Sequence, residues 1–236
     1  MAHVQTVLGP IDPDALGFTL PHEHTQIALW QIPDRWDYCQ LTSDQPVILE
    51  ELAAFHEAGG RSLVDLTLPG VGRDPVWLME VARASGLNIV MGCGWYRGAY
   101  YPAEALIDRR SVDALADELV AEASDGVGGT GVRPGIIGEI GTDKPWLSAQ
   151  EERVHRAAGR AARRTGLAIT THGVLSAVGL DQLRIFEEEG ADPTRVVIGH
   201  ADSYPVLEHH LAIVDRGASV EFDFLGMSFN AVERHG

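Results

Sequence analysis

The stretch Gly17-Phe18-Thr19-Leu20-Pro21-His22-Glu23-His24 decides how the rest of the chain is read. It is a short apolar run that ends in a His-x-His pair. Side chains two apart on a strand share a face. With Phe18 to His24 extended, His22 and His24 project side by side, and their imidazoles can hold one metal ion. Glu23 then points the other way. Alone, such a pair is more often incidental than a metal site, so the reading depends on which partners the remaining sequence supplies.

Outward from this stretch, strand-like and helix-like segments alternate to the end of the chain. Gly17 to Leu20 is the first strand. A long loop with Trp30 and Trp36 leads to a helix over 44–58, closed by Gly59-Gly60. Strands follow at 62–67 and 88–93, with a helix over 74–84 between them. The helix after Ser111 places Val112, Leu115, Ala116, Leu119, Val120 and Ala123 on one stripe at helical spacing, with Ser111 as its N-cap. Strand four covers 135–140, strand five 167–172, strand six 195–200 and strand seven 218–223. Helices over 148–165, 180–189 and 205–216 connect them. Near-continuous apolar strands separated by helices indicate a parallel sheet covered by helices. Polar residues recur at the strand C-termini: His22 and His24, Glu139, His172, His200 and Asp223. A (β/α)8 TIM barrel puts its chemistry at that end of every strand. An open doubly wound sheet would gather it at one switch point.

Composition narrows the function classes. The chain has 236 residues, 34 acidic against 18 basic, for a formal charge of −16. An acidic surface repels phosphate backbones and anionic bilayers, so the expected partner is a small-molecule substrate, with no nucleic acid and no membrane. The sequence leaves the assembly state open, a homodimer among the options. Two distant cysteines, Cys39 and Cys93, make neither a disulfide framework nor a thiolate cluster. No secretory signal opens the sequence and no run of about 18 apolar residues occurs, so a cytoplasmic protein is expected. Gly126-Val127-Gly128-Gly129-Thr130-Gly131 matches the dinucleotide pattern, but it follows a helix and precedes a strand, the reverse of what that fingerprint needs. It reads as a turn.

His22, His24, Glu139, His172 and His200 form the candidate constellation, each at a strand end. Four imidazoles and one carboxylate suit zinc, manganese, cobalt or iron. Five ligands exceed one tetrahedral ion. The two oxygens of Glu139 can bridge two ions about 3.5–4 Å apart, an arrangement that generates hydroxide and polarises a carbonyl or phosphoryl oxygen. Lys144, the only lysine, lies past strand four and is a poor bridge. Of the remaining histidines, His3 and His235 lie near the termini, and His56, His155, His209 and His210 are expected on solvated helix faces. The loop aromatics Trp95, Tyr96, Tyr100 and Tyr101, with Trp30 and Trp36, suggest an apolar pocket wall.

The motifs Gly17-x-Thr19-Leu20-x-His22-Glu23-His24, Gly135-Ile136-Ile137-Gly138-Glu139-Ile140-Gly141, Thr171-His172 and Ile198-Gly199-His200-x-Asp202 resemble the phosphotriesterase family of the amidohydrolase superfamily, most of all its phosphotriesterase-related branch. The resemblance runs in register from Val4 to Gly226. It implies a (β/α)8 barrel with a binuclear metal centre. By that resemblance His22 and His24 bind a buried ion, His172 and His200 an outer one, and Glu139 bridges where many members use a carboxylated lysine. Tyr96 matches an aromatic position that faces the bridging hydroxide in lactone-cleaving members, and Trp95 stands beside it as a substrate contact. The implied activity is hydrolysis of an ester, lactone or phosphotriester, with an N-acyl amide as the alternative. The pattern also needs an eighth strand ending in aspartate. Asp223 is not its match, so a single domain over 1–236, lacking the last helix-strand-helix portion, is expected. The rival of another class is a non-catalytic metal-binding barrel fragment.

Overall fold

The structure, a computed structural model, describes residues 2–29, 40–41 and 44–225. Seven parallel strands form one sheet in sequential order: β1 (Phe18–Glu23), β2 (Gly60–Asp65), β3 (Asn88–Cys93), β4 (Ile136–Gly141), β5 (Ile169–His172), β6 (Val196–Ile198) and β7 (Ser219–Val220). The connecting helices are α1 (Gln45–Glu57), α2 (Pro75–Ser85), α3 (Val112–Asp125), α4 (Ala149–Thr165), α5 (Gly179–Glu188) and α6 (Leu207–Val214). This is the TIM-barrel order, with β1 and β7 at its two ends among the described residues. All seven C-terminal strand ends therefore face the same way.

Local chemistry sets the element boundaries. Asp74 caps α2 through Val76 and Trp77 N–H, with Pro75 at the first helical position. Ser111 caps α3 through Ala114 N–H, as its sequence position predicts. Ser148 and Glu151 form a reciprocal capping box at α4. The register shift of β1 against β2 lies between Leu20 and Glu23, at Pro21. Proline has no N–H for the ladder, and a marginal strand tolerates it. Gly138 sits at φ +129°, and a Cβ there would come within 2.2 Å of the Thr170 carbonyl oxygen. Only glycine lets β4 approach β5 closely at the residue before Glu139.

Two large apolar clusters and a smaller one around Leu68, Tyr96 and Tyr100 fill the interior. The largest joins Ile137, Ile140 and Ile169 to Leu115, Leu119, Leu183 and Phe186. Ala157, Ala158 and Ala161 of α4 belong to it, their small side chains seating that helix close to the sheet. The second gathers Leu63, Ile89 and Met91 under Trp77, Leu78 and Val81 of α2.

Several expectations change. Strand seven pairs only over Ser219–Val220, shorter than 218–223. Two antiparallel pairs, Val4–Thr6 with Gly9–Ile11 and Ile27–Ala28 with Gln40–Leu41, have no counterpart in the sequence reading. The first ties into the barrel through Val7 N–H to the Ile89 carbonyl, 2.8 Å. His155 is fully buried, not solvated, because α4 is packed between α3, α5 and the sheet. Trp30, Trp36, Cys39 and His235 lie outside the described residues. The glycine-rich run 126–131 is a turn between α3 and β4, with Val127 N–H donating to the Val132 carbonyl. Among the described residues no helix is long and apolar enough to cross a membrane.

Candidate metal centre

His22 is the penultimate residue of β1 and His24 follows its end; Glu139 lies in β4, His172 ends β5, and His200 stands two residues beyond β6. The barrel brings all five together. Glu139, 1% exposed, is the hub. Its Oε2 lies 2.9 Å from His172 Nδ1, 3.2 Å from His22 Nε2 and 3.5 Å from His200 Nε2. Its Oε1 lies 3.4 Å from His24 Nε2. The rings crowd one another: His22 stacks on His200 at 4.6 Å between centroids, and His172 meets His200 edge-on at 4.5 Å.

The electrostatics are those of a site built around positive charge. Burial opposes the charge on Glu139, but His22 beside it and hydrogen bonds from His172 and His200 hold its carboxyl well below the ordinary range. Burial likewise opposes an imidazolium at His22, and Glu139, Asp223 and Glu221 outweigh it, raising the pKa well above the usual value. Burial dominates at His172 and lowers its pKa to about 3. The donor set fits a divalent metal. Neither nitrogen of His22 has an aligned hydrogen-bond partner, although carboxylate oxygens lie 3.0 and 3.2 Å away. A buried carboxylate ringed by imidazole nitrogens is the nitrogen/oxygen donor chemistry that zinc and its neighbours prefer.

Residues that the sequence reading did not assign complete the site. Asp223 accepts from His200 Nδ1 at 2.8 Å and from its backbone N–H at 3.1 Å. That contact supports the left-handed backbone of His200, φ +56°, a conformation uncommon for a residue with a side chain. Its other neighbour is His22 Nδ1, 3.0 Å away. Glu221 places Oε2 at 3.6 Å from the same nitrogen. Asp65, fully buried at the end of β2, fixes the chain after His24 by accepting from Thr25 N–H and Oγ1 and from Thr67 N–H. Its signal in the sequence is a carboxylate inside the apolar run Leu63-Val64-Asp65-Leu66.

The aromatic expectations divide. Tyr96 is at the site, its hydroxyl 3.4 Å from both His172 nitrogens and the Arg97 guanidinium 4.6 Å from its ring centre. Trp95, expected as a substrate contact, is 2% exposed in the larger apolar cluster, because the chain after β3 turns that indole into the core. Tyr100 packs with Tyr96 in a small cluster of its own.

A parallel barrel with these donors at its strand C-termini defines a metal-dependent hydrolase of the amidohydrolase type. Comparison with known proteins agrees: the phosphotriesterase family model matches residues 2–233. A phosphotriesterase homology protein of Escherichia coli is 37% identical over 213 residues, 90% of this chain and 72% of its own length. An N-acetyltaurine hydrolase of Tetraodon nigroviridis is 31% identical, covering 95% of this chain and 72% of its own. An aryldialkylphosphatase of Saccharolobus solfataricus is 31% identical over 92% of this chain and 69% of its own. Among solved structures, a resiniferatoxin-binding protein from Rhodobacter sphaeroides superposes with a TM-score of 0.87 at 35% identity, over 95% of this chain and 70% of that one. The chain belongs to the phosphotriesterase family.

Proposed function

We propose that His22, His24, Glu139, His172 and His200 together hold two divalent ions, zinc foremost, with manganese, cobalt or iron as alternatives of the same donor chemistry. One observation carries this reading: a single buried carboxylate, Glu139, lies within 3.5 Å of all four imidazoles. Its Oε2 lies near His22, His172 and His200 and its Oε1 near His24, so each oxygen would have an imidazole with which to share an ion. Such a pair supplies hydroxide at neutral pH and polarises the carbonyl or phosphoryl oxygen under attack. The reaction is hydrolysis of an ester, lactone or phosphotriester bond in a small molecule.

The chain's own residues orient the participants. Tyr96 Oη, beside His172, places a hydrogen-bond donor at the edge of the cluster, where it can hold the substrate oxygen. Asp223 holds His200 in place. Burial opposes its charge, but the hydrogen bond from His200 and the nearby His22 imidazole hold its carboxyl below the usual range. A second substrate reading, an N-acyl amide, is favoured by the likeness to N-acetyltaurine hydrolases.

Metal analysis with a panel of lactones, aryl esters, phosphotriesters and N-acyl amides tests the proposal. His200→Ala is expected to remove roughly one metal equivalent and most turnover. Full turnover by metal-free protein would overturn the reading.

A further inference from the structure

The strand-one ligand His24 is less enclosed than the others, with 22% of its side chain exposed. Something other than packing must fix its ring. Its Nδ1 lies 3.0 Å from Thr67 Oγ1, in the turn after β2. Thr67 itself is 2% exposed. Its hydroxyl donates to the Gln26 carbonyl at 2.8 Å. A hydroxyl carries one proton. Once that proton goes to Gln26, the same oxygen can only accept from His24, so Nδ1 bears the imidazole proton. In the neutral ring, the form that binds a metal, the lone pair then sits on Nε2, the nitrogen that faces Glu139.

We propose that Thr67 is a positioning residue of the metal centre: its hydroxyl accepts from His24 Nδ1–H and commits Nε2 to a divalent ion. Metal-ligating histidines in general donate their second nitrogen to a carboxylate, carbonyl or water, whose loss costs about 10–100-fold in metal affinity or activity, and the Thr67 hydroxyl stands in that place. The supports behind Thr67 are themselves fixed. Asp65 Oδ1 accepts from Thr67 N–H at 3.0 Å, while Oδ2 accepts from Thr25 N–H at 2.7 Å and Thr25 Oγ1 at 2.8 Å. Trp77 Nε1–H adds a contact to Thr25 Oγ1 at 3.2 Å. One buried carboxylate thus locks the segment carrying His24 to the segment carrying Thr67. The donor direction follows from proton counting along this chain.

The inference rests on the metal reading above, and its test separates the two. Zinc affinity is measured by chelator competition on Thr67→Val, which keeps the shape and removes the acceptor, and on Thr67→Ser, which keeps the acceptor. Thr67→Val is expected to weaken one of two zinc equivalents by about 10–100-fold, and Thr67→Ser to restore it. Both equivalents held by Thr67→Val at wild-type affinity would overturn the proposal. Should Thr67→Val not fold, the wild-type chain decides. Loaded with cadmium-113 and labelled with 15N-histidine, it should show metal coupling through His24 Nε2 and a proton on Nδ1. Coupling through Nδ1 overturns the role of Thr67 and leaves the metal centre standing. Absence of any bound metal removes both.

Discussion

The strands in the middle of the sheet and the segments just past β1 and β6 hold their share of the site by different means. Glu139 and His172 ride on β4 and β5, strands paired on both sides and backed by α3, α4 and α5. Their strands rest on apolar packing through Ile137, Ile140 and Ile169, and the two side chains meet each other, His172 Nδ1 lying 2.9 Å from Glu139 Oε2. His24 and His200 lie beyond the ends of β1 and β6, where the ladder has stopped; polar partners hold both, and the His200 ring is also stacked against Phe224 and His22. Thr67 and Asp65 serve His24; Asp223 serves His200. Packing is non-directional and needs only volume and apolarity. Where it is thin, ring orientation has to come from hydrogen bonds, which are directional.

The largest effect is expected at the hub. Glu139→Gln keeps the shape but removes the charge between the four imidazoles, so turnover should fall on the order of 10³-fold with both metal equivalents weakened. His200→Ala should weaken one. Metal stoichiometry on the two variants compares centre with margin directly, and equal losses would break the distinction.

Stability should show the same contrast. Phe186 is fully buried in the central cluster, whereas Phe18 at the start of β1 is 69% exposed. Phe186→Ala should cost about 3–5 kcal/mol in a denaturant titration. Phe18→Ala should stay within about 0.5 kcal/mol.

Next comes a pH effect confined to the centre. His155 on α4 is fully buried against Phe186, its Nδ1 2.7 Å from the Glu151 carbonyl. Burial lowers its pKa to about 4 from an ordinary 6.5. Between those values the unfolded chain binds the extra proton and the folded chain does not. Stability is therefore unaffected by this group above about pH 6.5, falls as the pH drops towards 4, and levels off below it. The loss should approach about 3 kcal/mol. Unfolding curves of wild type and His155→Leu across that window check it, the variant lacking this component.

The smallest effect concerns the ion pairs outside the central helices. Arg160 joins Asp113 of α3 to Glu189 just past α5. These groups are partly solvated, so Arg160→Ala should cost about 1 kcal/mol or less, and less still at high salt. A larger, salt-insensitive loss would mean that the helices depend on charge more than on the alanine face of α4.

Much of this was legible in advance where a single period or a local rule suffices. The alternation of apolar strands with helices gives the barrel, and Ser111 and Ser148 mark helix starts because a cap needs only its own neighbours. The five clustered residues were legible because each stands within two residues of a strand C-terminus. Trp95 and His155 were misread for one shared reason. Burial depends on which element packs against a residue, and neither a loop aromatic nor a helical histidine carries that in its own neighbourhood.

By itself the sequence determined the order of the strands and the chemical kind of the site, since residue type and spacing fix which donors reach the strand ends. The tertiary structure alone decided which nitrogen faces which oxygen. Asp223 meeting His200, and Thr67 meeting His24 across 43 positions, are contacts between separate segments. Their geometry exists only once the sheet has curled and its core has closed.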